Sequence, residues 1–229
     1  MKSVGYVCLI ASAVIASAVT HAAAQVAALT EGISVRMAQT KNAVPYPDAD
    51  DPQALVATIT ADSHLYLGVK SVTRDQLLEE MTSQARQHGV KLYIKADARA
   101  TFSDLKMALG PARSAHFETA VLLTSQPAPR SAAGLVAPQG IQAKIAPNKA
   151  EGAIHVRLSG PGESSELLIN QQVVPWRELE ATLKDLVHNP DQLVKIEASD
   201  ATPFADIARV MDDIRKAGAS VSLPIYNSL

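Results

Sequence analysis

The chain has 229 residues, 47% of them hydrophobic but only 4% aromatic, and a formal net charge of −2. That length holds one large domain or two of roughly 100 residues, with cores built from Val, Ile, Leu, Ala and Met. The near-neutral balance argues against a nucleic-acid partner, which calls for a clustered basic face; the single cysteine, Cys8, leaves no disulfide framework and no thiolate metal site.

Residues 1–24 read as a secretory signal peptide. Lys2 supplies the positive start, 4–19 form an uncharged and mostly apolar run, and Ala22-Ala23-Ala24 is a small-residue cleavage site before Gln25. The run falls short of the roughly 20 apolar residues of a spanning helix; the alternative is an uncleaved N-terminal anchor in the inner membrane. The expected product is periplasmic, starts near Gln25 and contains no cysteine.

Two stretches of similar length follow, 25–125 and 140–229, joined by a linker over 126–139 that is rich in Pro, Gly and small residues. In the first stretch, 33–37 reads as a strand, 41–51 as a Pro- and Asp-rich loop, and 55–60 with 65–68 as a hairpin. Thr73 and Gln76 make a capping box for a helix carrying Leu77, Leu78, Met81 and Ala85 at helical spacing. A strand at 90–96 leads to a second helix lined by Phe102, Leu105, Leu109 and Ala112, which Gly110-Pro111 should kink, and a strand over 119–124 closes the unit.

The second stretch repeats the order: a strand over 141–145, a hairpin of 154–159 and 167–170, and a helix opened by Pro175 and lined by Leu179, Leu183, Leu186 and Val187. A strand at 194–198 comes next, then a helix started at Thr202-Pro203, carrying Phe204, Ile207, Val210, Met211 and Ile214 and stopped by Gly218. A strand over 220–226 ends it. At a constant offset of 102 positions, Ser63, Leu65, Val72, Leu77, Ile94, Ala96, Phe102, Asp104, Arg113 and Ala115 meet identical residues at Ser165, Leu167, Val174, Leu179, Ile196, Ala198, Phe204, Asp206, Arg215 and Ala217. A shared apolar pattern at fixed spacing is what a duplicated core requires. The fold class is α+β: two tandem small modules, each a mixed sheet of about five strands with two helices on one face.

No residue stands out as catalytic, cofactor-binding or metal-ligating, so the chain reads as a binding protein without enzymatic activity or cofactor. His21, His64, His88, His116, His155 and His188 have neither HxH nor i, i+4 spacing. There is no GxSxG elbow, P-loop or GxGxxG. Asp97 and Asp200 each follow a central strand. A carboxylate there can be catalytic, but with no base or nucleophile beside it the structural role, capping a turn ahead of a helix, is the better reading. Trp176 is either a core plug or an exposed contact, and the core is favoured for so large an aromatic.

The runs VATITADSHLYLGVKSVTRDQLLEEM, VKLYIKADARATF and KIEASDATPFADIARVMDDIRKAGASVSL resemble the periplasmic domain of the ExbD/TolR family, over most of 32–124 and 140–226. The resemblance implies a biopolymer-transport role, as an accessory of a Ton- or Tol-type energy-transducing system. Its implied partners are inner-membrane motor or energy-transducing envelope proteins, with peptidoglycan a further candidate. It also implies dimerisation, here as a homo-oligomer or an internal pseudo-dimer. In that family a transmembrane aspartate handles the proton, whereas residues 1–24 contain neither Asp nor Glu, so no proton-carrying residue transfers. An envelope module that binds cell wall or protein, unrelated to proton-driven transport, is the alternative.

Overall fold

A computed structural model describes residues 32–86, 89–127, 137–145, 152–160, 166–190 and 192–225. The signal segment, most of the linker, His88 and His21 lie outside the described residues. The first part runs β1 (Val44–Pro45), β2 (Leu55–Ile59), β3 (Leu65–Leu67), β4 (Lys70–Ser71), α1 (Arg74–Ala85), β5 (Leu92–Ala96), α2 (Phe102–Ser114) and β6 (Thr119–Thr124). The second runs β7 (Gln139–Lys144), β8 (Ile154–Ser159), β9 (Glu166–Ile169), β10 (Gln172–Val173), α3 (Leu179–Leu186), β11 (Leu193–Ala198), α4 (Phe204–Lys216) and β12 (Ser220–Ser222). The order hairpin, short strand, helix, strand, helix, strand thus occurs twice.

In place of two separate five-stranded sheets, the strands join in one mixed sheet ordered β10-β9-β8-β11-β12-β7-β6-β5-β2-β3-β4. Its centre is β7, which begins within the span read as linker. One edge of β7 pairs antiparallel with β6 along its whole length. The other edge pairs in parallel with β12 at Ala143 and Lys144, and the remainder of that edge takes β1 at Gly140 and Gln139.

This central place explains one failed expectation. The composition of residues 33–37 predicts the first strand, the counterpart of β7. The gap between β6 and β12 admits a single strand, and β7 fills it. The earlier segment makes only isolated bridges, Met37 with Asp97 and Gln39 with Ser125. It becomes an arm that passes the ends of β5 and β6 and then reaches β7.

Alternation along the strands sorts the side chains onto two faces. Leu55, Ala57 and Ile59 of β2, Leu92, Ile94 and Ala96 of β5, and Ile141 and Ala143 of β7 join Leu77, Leu105, Leu183, Ile207 and Met211 of all four helices in one continuous core. Val56, Tyr93, Val121 and Leu123 point the other way, where Met37, Tyr46, Ala49 and Ala54 of the arm and the segment after it cover them. Each fully buried Leu, Ile or Phe contributes roughly 1.5–3 kcal/mol.

Helix starts follow the capping chemistry. Thr73 Oγ1 accepts from Gln76 N–H at 3.3 Å while Gln76 Oε1 accepts from Thr73 N–H at 2.9 Å. Thr101 and Asp104 make the equivalent box for α2. That helix continues through Gly110-Pro111 to Ser114 as one element. Before α3 a 3-10 turn, Trp176–Glu178, follows Pro175, so the helix opens later than Pro175 suggests.

The starts of α2 and α4 also satisfy one another. Phe102 N–H donates to Thr202 O at 2.8 Å and Phe204 N–H to Ala100 O at 2.7 Å; Ser103 N–H donates to Asp200 O and Ala205 N–H to Ala98 O, both at 3.0 Å. The first four N–H groups of a helix lack partners within it, and here each helix borrows carbonyls from the other's approach loop. Every bond maps onto its mate by the same shift of 102 positions.

Candidate functional site: a cleft between the arm and α4

After pairing with Ser125, the arm turns over the C-terminal half of α4. Asp212 is 7% exposed. Its carboxylate accepts from Lys41 N–H at 2.9 Å, Asn42 N–H at 2.7 Å and Asn42 Nδ2 at 3.1 Å. One turn on, Arg215 Nε donates to Asn42 O at 2.8 Å. Thr40 and Thr124 hydroxyls hydrogen-bond at 2.7 Å in the interior. A buried carboxylate is tolerated only when its lone pairs are met, and the arm's backbone meets them.

The turn, α4 and the start of α3 enclose a cleft of about 470 Å³. Its walls include Lys41, Trp176, Glu180, Arg209 and Asp213. Trp176 packs against the edge of the core while staying half-buried, between the core plug and the exposed contact that the sequence allows. The Arg209 guanidinium lies 4.8 Å from its ring centroid, a cation–π contact. Burial pushes the Asp213 carboxyl above its ordinary range, helped by the negative charge of Asp212. Hydrogen bonds from Lys216 and Lys184 hold Glu180 down at about 2.

The cleft therefore combines an aromatic face, three cations (Lys41, Arg177 and Arg209) and carboxylates of unlike basicity. These are recognition elements, suited to stacking and to pairing with charged groups of a partner. Among the described residues, no three His, Cys, Asp or Glu side chains come together to hold a metal.

Asp97 is 3% exposed and bound by Arg99 Nε at 2.8 Å and Nη2 at 3.1 Å, and by the N–H groups of Arg36 and Arg99, each at 3.0 Å. It ties the arm to the end of β5, the structural role expected of it. Asp200 is exposed and pairs with Lys106. His64, His116, His155 and His188 are all exposed. Sequence reasoning missed Asp212 and Arg209; both sit on the polar side of an amphipathic helix, and nothing local marks them off from solvated charges. The unspaced run Asp212-Asp213 was the one available signal.

Residues 119–227, from β6 to the end of the second part, match the model of the family described as biopolymer transport protein ExbD/TolR. No curated protein and no solved structure matches the chain. The whole arm–α4 cleft except its arm wall lies within the matched span. None of the helices among the described residues is long and apolar enough to cross a membrane.

Proposed function

We propose that this protein is an exported, non-enzymatic accessory of a Ton- or Tol-type energy-transducing system, built from two ExbD/TolR-like modules in tandem that fold together as an internal pseudo-dimer. The family match over 119–227 carries the transport reading. The reciprocal bonds between the starts of α2 and α4 support the pseudo-dimer, because a single residue offset relates both partners of each bond and isologous contacts are what a two-fold interface produces. The cleft beside Trp176 is the docking place for an inner-membrane motor or energy-transducing protein, to which it offers a stacked aromatic and charges of both signs. The protein acts from the periplasm and carries no proton itself, since residues 1–24 hold no carboxylate.

A photo-crosslinking residue placed at Arg177, on the exposed rim of the cleft, tests this in the producing cell. Crosslinks should form with an inner-membrane motor or energy-transducing subunit and disappear in Trp176→Ala. Crosslinks only to cell-wall material, or to nothing while the same probe at Lys70 labels that subunit, would overturn it. N-terminal sequencing of the envelope-derived protein should begin near Gln25; an intact Met1 in the membrane fraction replaces export with anchoring.

A further inference from the structure

The ends of α2 and α4 are built alike. At each, the next residue but one after the helix lies in the left-handed region and the chain closes with paired bonds: His116 N–H to Arg113 O and Phe117 N–H to Ala112 O after α2, Gly218 N–H to Arg215 O and Ala219 N–H to Ile214 O after α4. This is the Schellman arrangement, which favours glycine at that position. After α4 the residue is Gly218, with φ 84°; after α2 it is His116, with φ 67°. A histidine thus stands where its Cβ is disfavoured and where a glycine closes the matching helix. Such conformations, held in place by their surroundings, mark candidate functional positions.

His116 lines a cleft of about 440 Å³ at the N-terminal ends of β5 and β6. Val90 and Phe117, both partly exposed, give it an apolar wall within a mostly polar lining, and Tyr46 of the arm segment closes one side. Arg86, the residue capping the end of α1, stands on the same rim and makes no side-chain hydrogen bond or ion pair among the described residues, whereas Lys91 is already held by Asp48 at 2.8 Å. Glu118 is the rim's one acidic residue.

We propose that this cleft binds a small singly charged amphipathic carboxylate. Arg86 and the His116 imidazole N–H grip the carboxylate, and the apolar chain lies along Val90 and Phe117. Arginine is suited to bidentate carboxylate binding, and pockets of this kind pair an apolar lining with a few placed polar groups. Glu118 disfavours a second negative charge on the ligand. Cations at helix C-termini also offset the helix dipole without any ligand, so the test must separate that role from binding.

Octanoate is the probe, titrated into the isotope-labelled purified protein and followed by amide chemical shifts. Saturable shifts are expected at Val90, Phe117 and Thr119, weakened roughly tenfold in Arg86→Gln and in His116→Gly, as loss of a charge-assisted contact would do. His116→Gly should melt at the same or a higher temperature than the parent, so its loss of binding cannot come from unfolding. Octylamine should leave these amides unmoved. The proposal is overturned if octanoate gives no saturable shifts, if both variants bind it as the parent does, or if octylamine binds equally well.

Discussion

Thr101 and Pro203 face each other in an antiparallel bridge, and their positions in the sequence differ by the same offset that aligns the two halves. Around that bridge, Phe102 with Thr202 and Phe204 with Ala100 exchange backbone bonds symmetrically. The side chains are less symmetric: Thr101 caps α2 through its hydroxyl, while Pro203 has none to offer α4. Thr101→Ala should therefore cost about 1 kcal/mol, the usual worth of a lost cap. Equilibrium denaturation would read it, and an effect near zero would mean the neighbouring loop already satisfies the helix start.

If the seam is an interface between two modules, the parts should need each other. Residues 25–125 alone leave the long edge of β6 open, and 140–229 alone leave β7 open. Expressed separately, each should self-associate on a sizing column, and mixing should restore one compact species. Two folded, monomeric and indifferent fragments would show the seam to be incidental.

Much of this architecture was legible beforehand, because repeated apolar spacing is a property of local sequence. The Thr73–Gln76 box, the hairpins, both α4 boundaries and the run from β11 to Gly218 follow from caps, β-branched alternation and a terminal glycine. The arm did not follow. Residues 33–37 have the composition of a strand, and only the occupancy of the single place between β6 and β12 denies it one. The cleft was illegible for a related reason: Asp212 owes its role to N–H groups about 170 residues away. Pro175 alone does not reveal the 3-10 turn, Trp176–Glu178, that precedes α3.

Asp212→Ala removes the acceptor for three hydrogen bonds and leaves the N–H groups of Lys41 and Asn42 unmet. The expected loss is about 2–4 kcal/mol, with faster amide exchange at both residues. Unchanged exchange there would show that the arm does not depend on α4.

Two carboxylates should respond to acid in opposite senses. Arg99 and the surrounding N–H groups hold Asp97 well below the usual carboxylate range. Its folded pKa is depressed, so its stabilisation is present above roughly pH 4 and drains away as pH falls through the folded value. Asp97→Asn should lower stability at neutral pH and flatten that acid limb. Burial raises Asp213, so its charged form is disfavoured in the fold and its contribution is lost as pH rises. Asp213→Asn should stabilise at neutral pH, with the advantage vanishing below roughly pH 4. Denaturation midpoints across pH 3–7 for the two variants check both signs.

Gly140 sits where the arm, β6 and β7 converge. A Cβ there would lie 2.7 Å from Val121 Cγ1, 3.0 Å from Leu122 O and 3.3 Å from Tyr46 Cδ2. Gly140→Ala should cost about 1–3 kcal/mol through overpacking, measured by thermal unfolding. A neutral result would mean that β6 and β7 can part slightly without loss.

The sheet's outermost strands, β4 and β10, are two residues long each. Edges that short offer a neighbouring chain few backbone groups to join, while the longest ladder, β6 with β7, is sealed in the middle. Among the described residues, backbone pairing is thus concentrated inside the molecule, and a neighbouring strand finds little exposed edge to join.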